Sequence, residues 1–286
     1  MQVSEKEQTP HTFIGVVDRY LNQVAIVFPL WSVLTLVFVV LVVGCTRSLL
    51  RRSHLLFPHF HLINEFLGTF GWICTSLEGV VVGAMWSREA GLMLLFIRLL
   101  LAPYLFKGAY TSPCSALFDI FKNNDYSKKE FIRFFEILAV QVLASLCAVV
   151  YVIRVTWRFL ADISDDHFHF NGIEQAYYLQ VWSMYGFGIE FFTTAISFSF
   201  RFILRESIFR VLLESTLVTY LVYRFSPLSG AMMNPLVALS NLLPWSSLDL
   251  PGCIEHAFVF WLAPFMGTFL AISLFRRYSR IKHHVD

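Results

Sequence analysis

Seven runs of apolar residues, at about 24–45, 62–83, 92–107, 131–153, 178–200, 207–225 and 256–275, dominate this chain. Most approach the ~20 residues that a helix needs to cross a ~30 Å hydrocarbon core. The third run is shorter, but Lys107 can snorkel to the interface and the helix can extend back towards Ser87, so it counts as a span. At 57% apolar residues, with 30 Phe among 286 positions, the chain holds more apolar surface than one soluble core can bury. The expectation is an all-α membrane protein.

Lys and Arg set the orientation. The stretches 46–60, 107–133, 201–210 and the C-terminal tail together carry 15 of the 22 basic residues, and all four fall on one side if every run spans. By the positive-inside rule the C-terminus is cytoplasmic and the extreme N-terminus is not. The net charge of +2 is scattered, which argues against nucleic acid as a partner. The five cysteines form no disulfide framework: Cys45, Cys74, Cys114 and Cys147 lie in or beside apolar segments, and Cys253 falls in an expected loop. Val42-Val43-Gly44-Cys45 resembles a lipoprotein cleavage site, yet the acidic residues Glu5, Glu7 and Asp18 and the length of the run favour a retained extra helix over 24–45.

Two stretches break the spanning pattern. Residues 112–122 and 234–243 each open with a small polar residue followed by Pro, the arrangement of a helix N-cap and first turn. Each has about ten helix formers, roughly 15 Å, which is half a membrane. Their surroundings repeat as well. Gly108-Ala109 and Gly230-Ala231 precede Pro113 and Pro235 at the same offset of 122, and Glu65-Phe66 recurs as Glu190-Phe191 at an offset of 125. A three-span unit whose second copy follows an odd number of spans inserts upside down. Inverted repeats with interrupted helices place a site near the midplane, where half-helix N-termini meet. The expected organisation is an N-terminal arm over 1–60 and a channel domain over 61–286, the latter built from repeats at about 62–155 and 178–278.

From about residue 62 to 278 the chain resembles the aquaporins. Gly108 to Leu117 (GAYTSPCSAL) is similar to the family's first Asn-Pro-Ala stretch, Ser229 to Ser240 (SGAMMNPLVALS) to its second, Asn64 to Phe70 to its first-helix signature and Phe260 to Ala271 to its last helix. The resemblance implies six spanning helices plus two re-entrant half-helices, here with an extra N-terminal helix. It implies a passive channel for water or small neutral solutes such as glycerol and hydrogen peroxide, a homotetramer, no cofactor and no enzymatic activity. Ser112, Pro113 and Cys114 stand at the first motif, and Asn234, Pro235 and Leu236 at the second. Cys114 and the extra helix suit the divergent intracellular branch called superaquaporins. Carried over by spacing, the selectivity constriction comprises Leu92, Val222, Ala231 and Val237, an apolar ring in which Val237 stands where orthodox members have Arg. Glu65 and Glu190 are expected to support the re-entrant loops.

The remaining signals are weaker. Glu78, Arg98, Glu136 and Glu214 are further charges inside apolar runs, and Arg98 is a candidate partner for Glu78 or Glu214. His167 and His169 beside Asp165 and Asp166 suggest a metal site less than a solvated acidic loop, so no metal is expected. No phosphate loop, His-Glu metal pair or nucleophile-base spacing supports catalysis. Ser112, Leu236 and Val237 keep open the alternative of a non-conducting structural or partner-binding membrane protein with the same fold. The absence of Asn-x-Ser/Thr sequons and the Lys-His-His-Val-Asp tail favour the endoplasmic reticulum or another intracellular membrane.

Overall fold

A computed structural model describes residues 29–52, 60–122, 126–170, 179–203, 208–242 and 250–285. Among them every regular element is helical: α1 (Leu30–Arg52), α2 (Phe60–Met85), α3 (Arg88–Leu105), α4 (Pro113–Phe121), α5 (Lys128–Tyr151), α6 (Asp165–Phe170), α7 (Ser183–Ile203), α8 (Ile208–Ser229), α9 (Pro235–Leu242), α10 (Leu250–Ala257) and α11 (Ala263–Val285). A π-helical turn over Val152–Trp157 continues α5, and another over Phe258–Leu262 joins α10 to α11.

The helix ends follow local chemistry. Ser87 and Ser127 cap α3 and α5 through their hydroxyls, accepting from Ala90 N and Glu130 N, which satisfies donors that a first helical turn leaves unpaired. Pro113 and Pro235 open the short helices α4 and α9, where a missing N–H costs nothing. Among the described residues four segments, Leu30–Leu50, Phe60–Met85, Lys128–Leu160 and Leu250–Tyr278, are long and apolar enough to cross a membrane. Their exposed faces carry Leu41, Leu143, Val150, Phe269 and other large apolar side chains, as lipid contact requires.

Helix packing is paired. α2 lies against α5, and α7 against α11. The short α4 packs on α5 and α11, and α9 packs on α2 and α5, while α3 and α8 lie side by side. One cluster of buried residues joins α1, α2, α5 and α9 through Val43, Leu77, Val81, Ala148 and Leu236. A second joins α4, α5, α7 and α11 through Cys114, Phe118, Ile137, Phe198 and Ile272.

Three sequence expectations change. The first helix begins at Leu30 and runs to Arg52, beyond the expected end at residue 45, because Leu49 to Arg52 are good helix formers and Arg47 finds partners on α2 and after α3; residues 24–28 lie outside the described part. Cys253 is in α10 rather than a loop, exposed and unpaired like Cys45. The stretch around His167 is a helix with a buried face, not a solvated loop. His167 is 1% exposed, with Nδ1 2.9 Å from Ser164 Oγ and Nε2 2.7 Å from Glu78 Oε1. Glu78 also accepts from Trp157 Nε1, and Trp86 Nε1 donates to Asp166, so polar bonds pin α6 and the π-helical turn after α5 to α2 and its C-terminal end. Among the described residues no group of three or more His, Cys, Asp or Glu is placed to hold a metal ion.

Candidate functional site

The two loops that enter α4 and α9 share left-handed backbone at two matching positions, and the second loop adds a third at Ala231, with φ of 46°. Gly108 and Gly230 take φ of 82° and 85°, and Thr111 and Met233, three residues on in each loop, take 58° and 50°. Glycine occupies this left-handed region freely; Thr and Met do so at a cost and persist only where the surroundings hold them.

Buried glutamates are what hold them. Glu65 on α2, 2% exposed, accepts from Tyr110 N at 2.8 Å and Thr111 N at 2.9 Å, and also from Gln141 Nε2 of α5 at 2.7 Å. Glu190 on α7, fully buried, accepts from Met232 N at 3.1 Å and Met233 N at 2.9 Å, and from Ser229 Oγ at 2.9 Å. A carboxylate is the natural partner, since it offers acceptors only and bonds to charged groups are the stronger kind. Backbone N–H groups that would be orphaned inside a bilayer are thus satisfied.

The loops meet each other. Asn234 Nδ2 donates to Thr111 O at 3.2 Å, while its Oδ1 accepts from Leu236 N at 3.1 Å and so caps α9. Ser112 sits in the N-cap position of α4 with extended backbone, but its hydroxyl makes no cap, contrary to the sequence expectation. Both helices direct their N-termini, each equivalent to roughly +0.5 charge, towards this junction.

Beside the junction lies a cavity of about 600 Å³. Ser112 and Asn234 line it from the loops, and Leu92, Val222, Ala231 and Val237 line it from α3, α8, the second loop and α9. Pro113, Cys114, Pro235 and Leu236 do not reach it. Cys114 and Leu236 are completely buried in the two apolar clusters instead, closing the turns behind the loops.

Four charged residues outside the expected constriction also line the cavity: Arg98 and Glu214, already conspicuous as charges in apolar runs, and Arg88 and Arg201, which the sequence did not single out. The pairing of Arg98 with Glu78 or Glu214 is corrected here: Glu78 is taken by His167 and Trp157, and Glu214 lies 3.6 Å from Arg210. Glu136 stands on an exposed face of α5. Arg47 of α1 was also not singled out. Its guanidinium donates to Asn64 Oδ1 at 2.8 Å, to Leu105 O and to Lys107 O, while Asn64 Nδ2 donates to Gly108 O at 2.8 Å. The extra helix is therefore bonded to the root of the first loop. Only its basic side chain near the end of an apolar run hinted at this.

Among the described residues, membrane-length helices, two half-length helices meeting at their N-termini and a cavity beside them make up the helical bundle of an integral membrane protein. No protein-family profile matches the chain. It is 27% identical over 246 residues to Aquaporin-11 of Mus musculus, covering 82% of this chain and 85% of that one, and a stretch of 66 residues is 39% identical to Aquaporin-11 of Equus caballus, 23% of each chain. Over most of its length the chain is thus similar to an aquaporin, in line with the resemblance read from its sequence.

Proposed function

We propose that this protein is a passive transmembrane channel for water and small neutral solutes, with glycerol and hydrogen peroxide as the solutes of matching size and polarity. The observation that carries the reading is the cavity itself, which touches both loops at their junction and is walled by Leu92, Val222, Ala231 and Val237. In this reading α2, α3, α5, α7, α8 and the α10–α11 helix are six spans, α4 and α9 are re-entrant, and α1 is a seventh span outside the repeats. The half-helix N-termini oppose cations at the junction, since pore diameter, lining groups and fixed positive ends govern selectivity in pores of this kind. An apolar ring without a donor at position 237 stabilises a water file poorly and tolerates neutral solutes with a carbon skeleton or a peroxide bond.

Assembly as a homotetramer with one pore per chain, a cytoplasmic C-terminus and residence in the endoplasmic reticulum complete the proposal. The purified chain in proteoliposomes should raise water, glycerol and hydrogen peroxide flux above that of empty vesicles in stopped-flow measurements. A folded protein that raises none of the three refutes the channel and favours a structural role for the same fold. A monomer in light scattering from mild detergent counts against the tetramer.

A further inference from the structure

Three arginines line the cavity, and each lies on an aromatic ring: Arg88 over Tyr223, Arg98 over Trp72 and Arg201 over Phe198. Two of them are exposed and sit at the ends of their helices, Arg88 at the start of α3 and Arg201 near the end of α7. Arg98 differs. It lies ten residues along α3 from Arg88, about 15 Å at the helical rise, which is halfway through a hydrocarbon core.

Nothing neutralises it. Its guanidinium, 4.5 Å over the Trp72 ring, donates to Trp72 O at 3.1 Å, while its Nε has no hydrogen-bond partner. No carboxylate pairs with it among the described residues, and the carboxylate that shares the cavity, Glu214, is beside Arg210. Gly79, two helical turns from Trp72 and also lining the cavity, lies against the guanidinium: a Cβ there would sit in ordinary contact, 3.6 Å from Arg98 Nη1. A cation at this depth is expensive and by default functional. One ring and one carbonyl repay only part of that cost. An apolar residue at position 98 would fill the same groove between α2 and α3 more cheaply.

We propose that Arg98 is the charge-selecting residue of this channel, supplying from α3 the fixed positive charge that Val237 does not supply from α9. It raises the barrier to cations and protons in the cavity, and its donors favour solutes that accept hydrogen bonds. The assignment rests on the channel reading. Arginine is suited to it because the group stays protonated in any protein environment and is weakly hydrated.

The test compares the full chain with Arg98→Met, Arg98→Gln and Arg98→Lys in proteoliposomes, scoring water and hydrogen peroxide flux alongside methylammonium uptake and proton leak under an imposed potential. The parent and Arg98→Lys should pass the neutral solutes and exclude methylammonium and protons. Arg98→Met and Arg98→Gln should gain at least tenfold in methylammonium or proton flux while water flux stays level or rises. Two neutral variants are used so that either one that folds decides the matter. A parent that conducts no neutral solute overturns the channel reading before any variant is scored. A conducting parent whose folded neutral variants exclude methylammonium and protons as well as it does overturns the role of Arg98 alone.

Discussion

Replacing Arg47 with Met tests whether α1 is a working part of the helical bundle. Arg47 is 8% exposed and serves three acceptors on two other segments: Asn64 Oδ1 on α2, Leu105 O at the end of α3, and Lys107 O two residues beyond it. Met keeps the apolar stem and removes every donor. Leaving a buried acceptor unmet costs about 1–3 kcal/mol, and bonds from a charged donor stand at the upper end. Asn64 Oδ1 bears the full cost. The two carbonyls at the end of α3 lie near the interface and can recruit water, which discounts theirs, so the total is about 3 kcal/mol. Arg47→Lys keeps the charge but not the planar fork, and should recover about half.

Equilibrium unfolding in mixed micelles, followed by Trp fluorescence, reads these differences. Pairing Arg47→Met with Asn64→Ala should be less destabilising than the sum of the two, by about 0.5–3 kcal/mol, because both remove the same bond. Strict additivity, or an Arg47→Met protein within about 0.5 kcal/mol of the parent, would refute the clamp.

Other outcomes follow from the same geometry. Val237→Arg should cut glycerol flux much more than water flux, because it adds a charge and bulk to the cavity wall, whereas Val237→Ala should leave or raise both; since position 237 faces the cavity rather than lipid, the cost should be below the ~3 kcal/mol of a lipid-facing Arg. An unchanged water-to-glycerol ratio in the folded Arg variant removes position 237 from the constriction. Glu190→Gln replaces an acceptor of three hydrogen bonds with a group that turns N–H donors towards Met232 N or Met233 N, and should destabilise by about 3 kcal/mol in the micelle assay. A parent-like unfolding curve would mean that the second loop does not depend on that carboxylate. Tags at the two termini, probed by selective permeabilisation, should report opposite sides of the membrane; both on one side would show that α1 does not cross.

The repeated hydrophobic runs and the two small-polar-Pro pairs determine, on their own, that this chain is helical, belongs in a bilayer and carries two half-length helices. These are local or additive properties: hydropathy sums along a segment, and Pro forbids its own N–H wherever it stands. The sequence also singles out Glu65 and Glu190, because an ionisable group in an apolar run is conspicuous. It could not assign partners. That Glu78 meets His167 across 89 positions, that Arg47 bonds to the root of the first loop, and that Arg98 stands unpaired beside a cavity are settled by how helices distant in sequence are brought alongside one another. Ser112 shows the limit at closest range. Its place before Pro113 predicts a cap, yet whether a hydroxyl closes on a backbone N–H or turns to a cavity depends on what the rest of the fold leaves open around it.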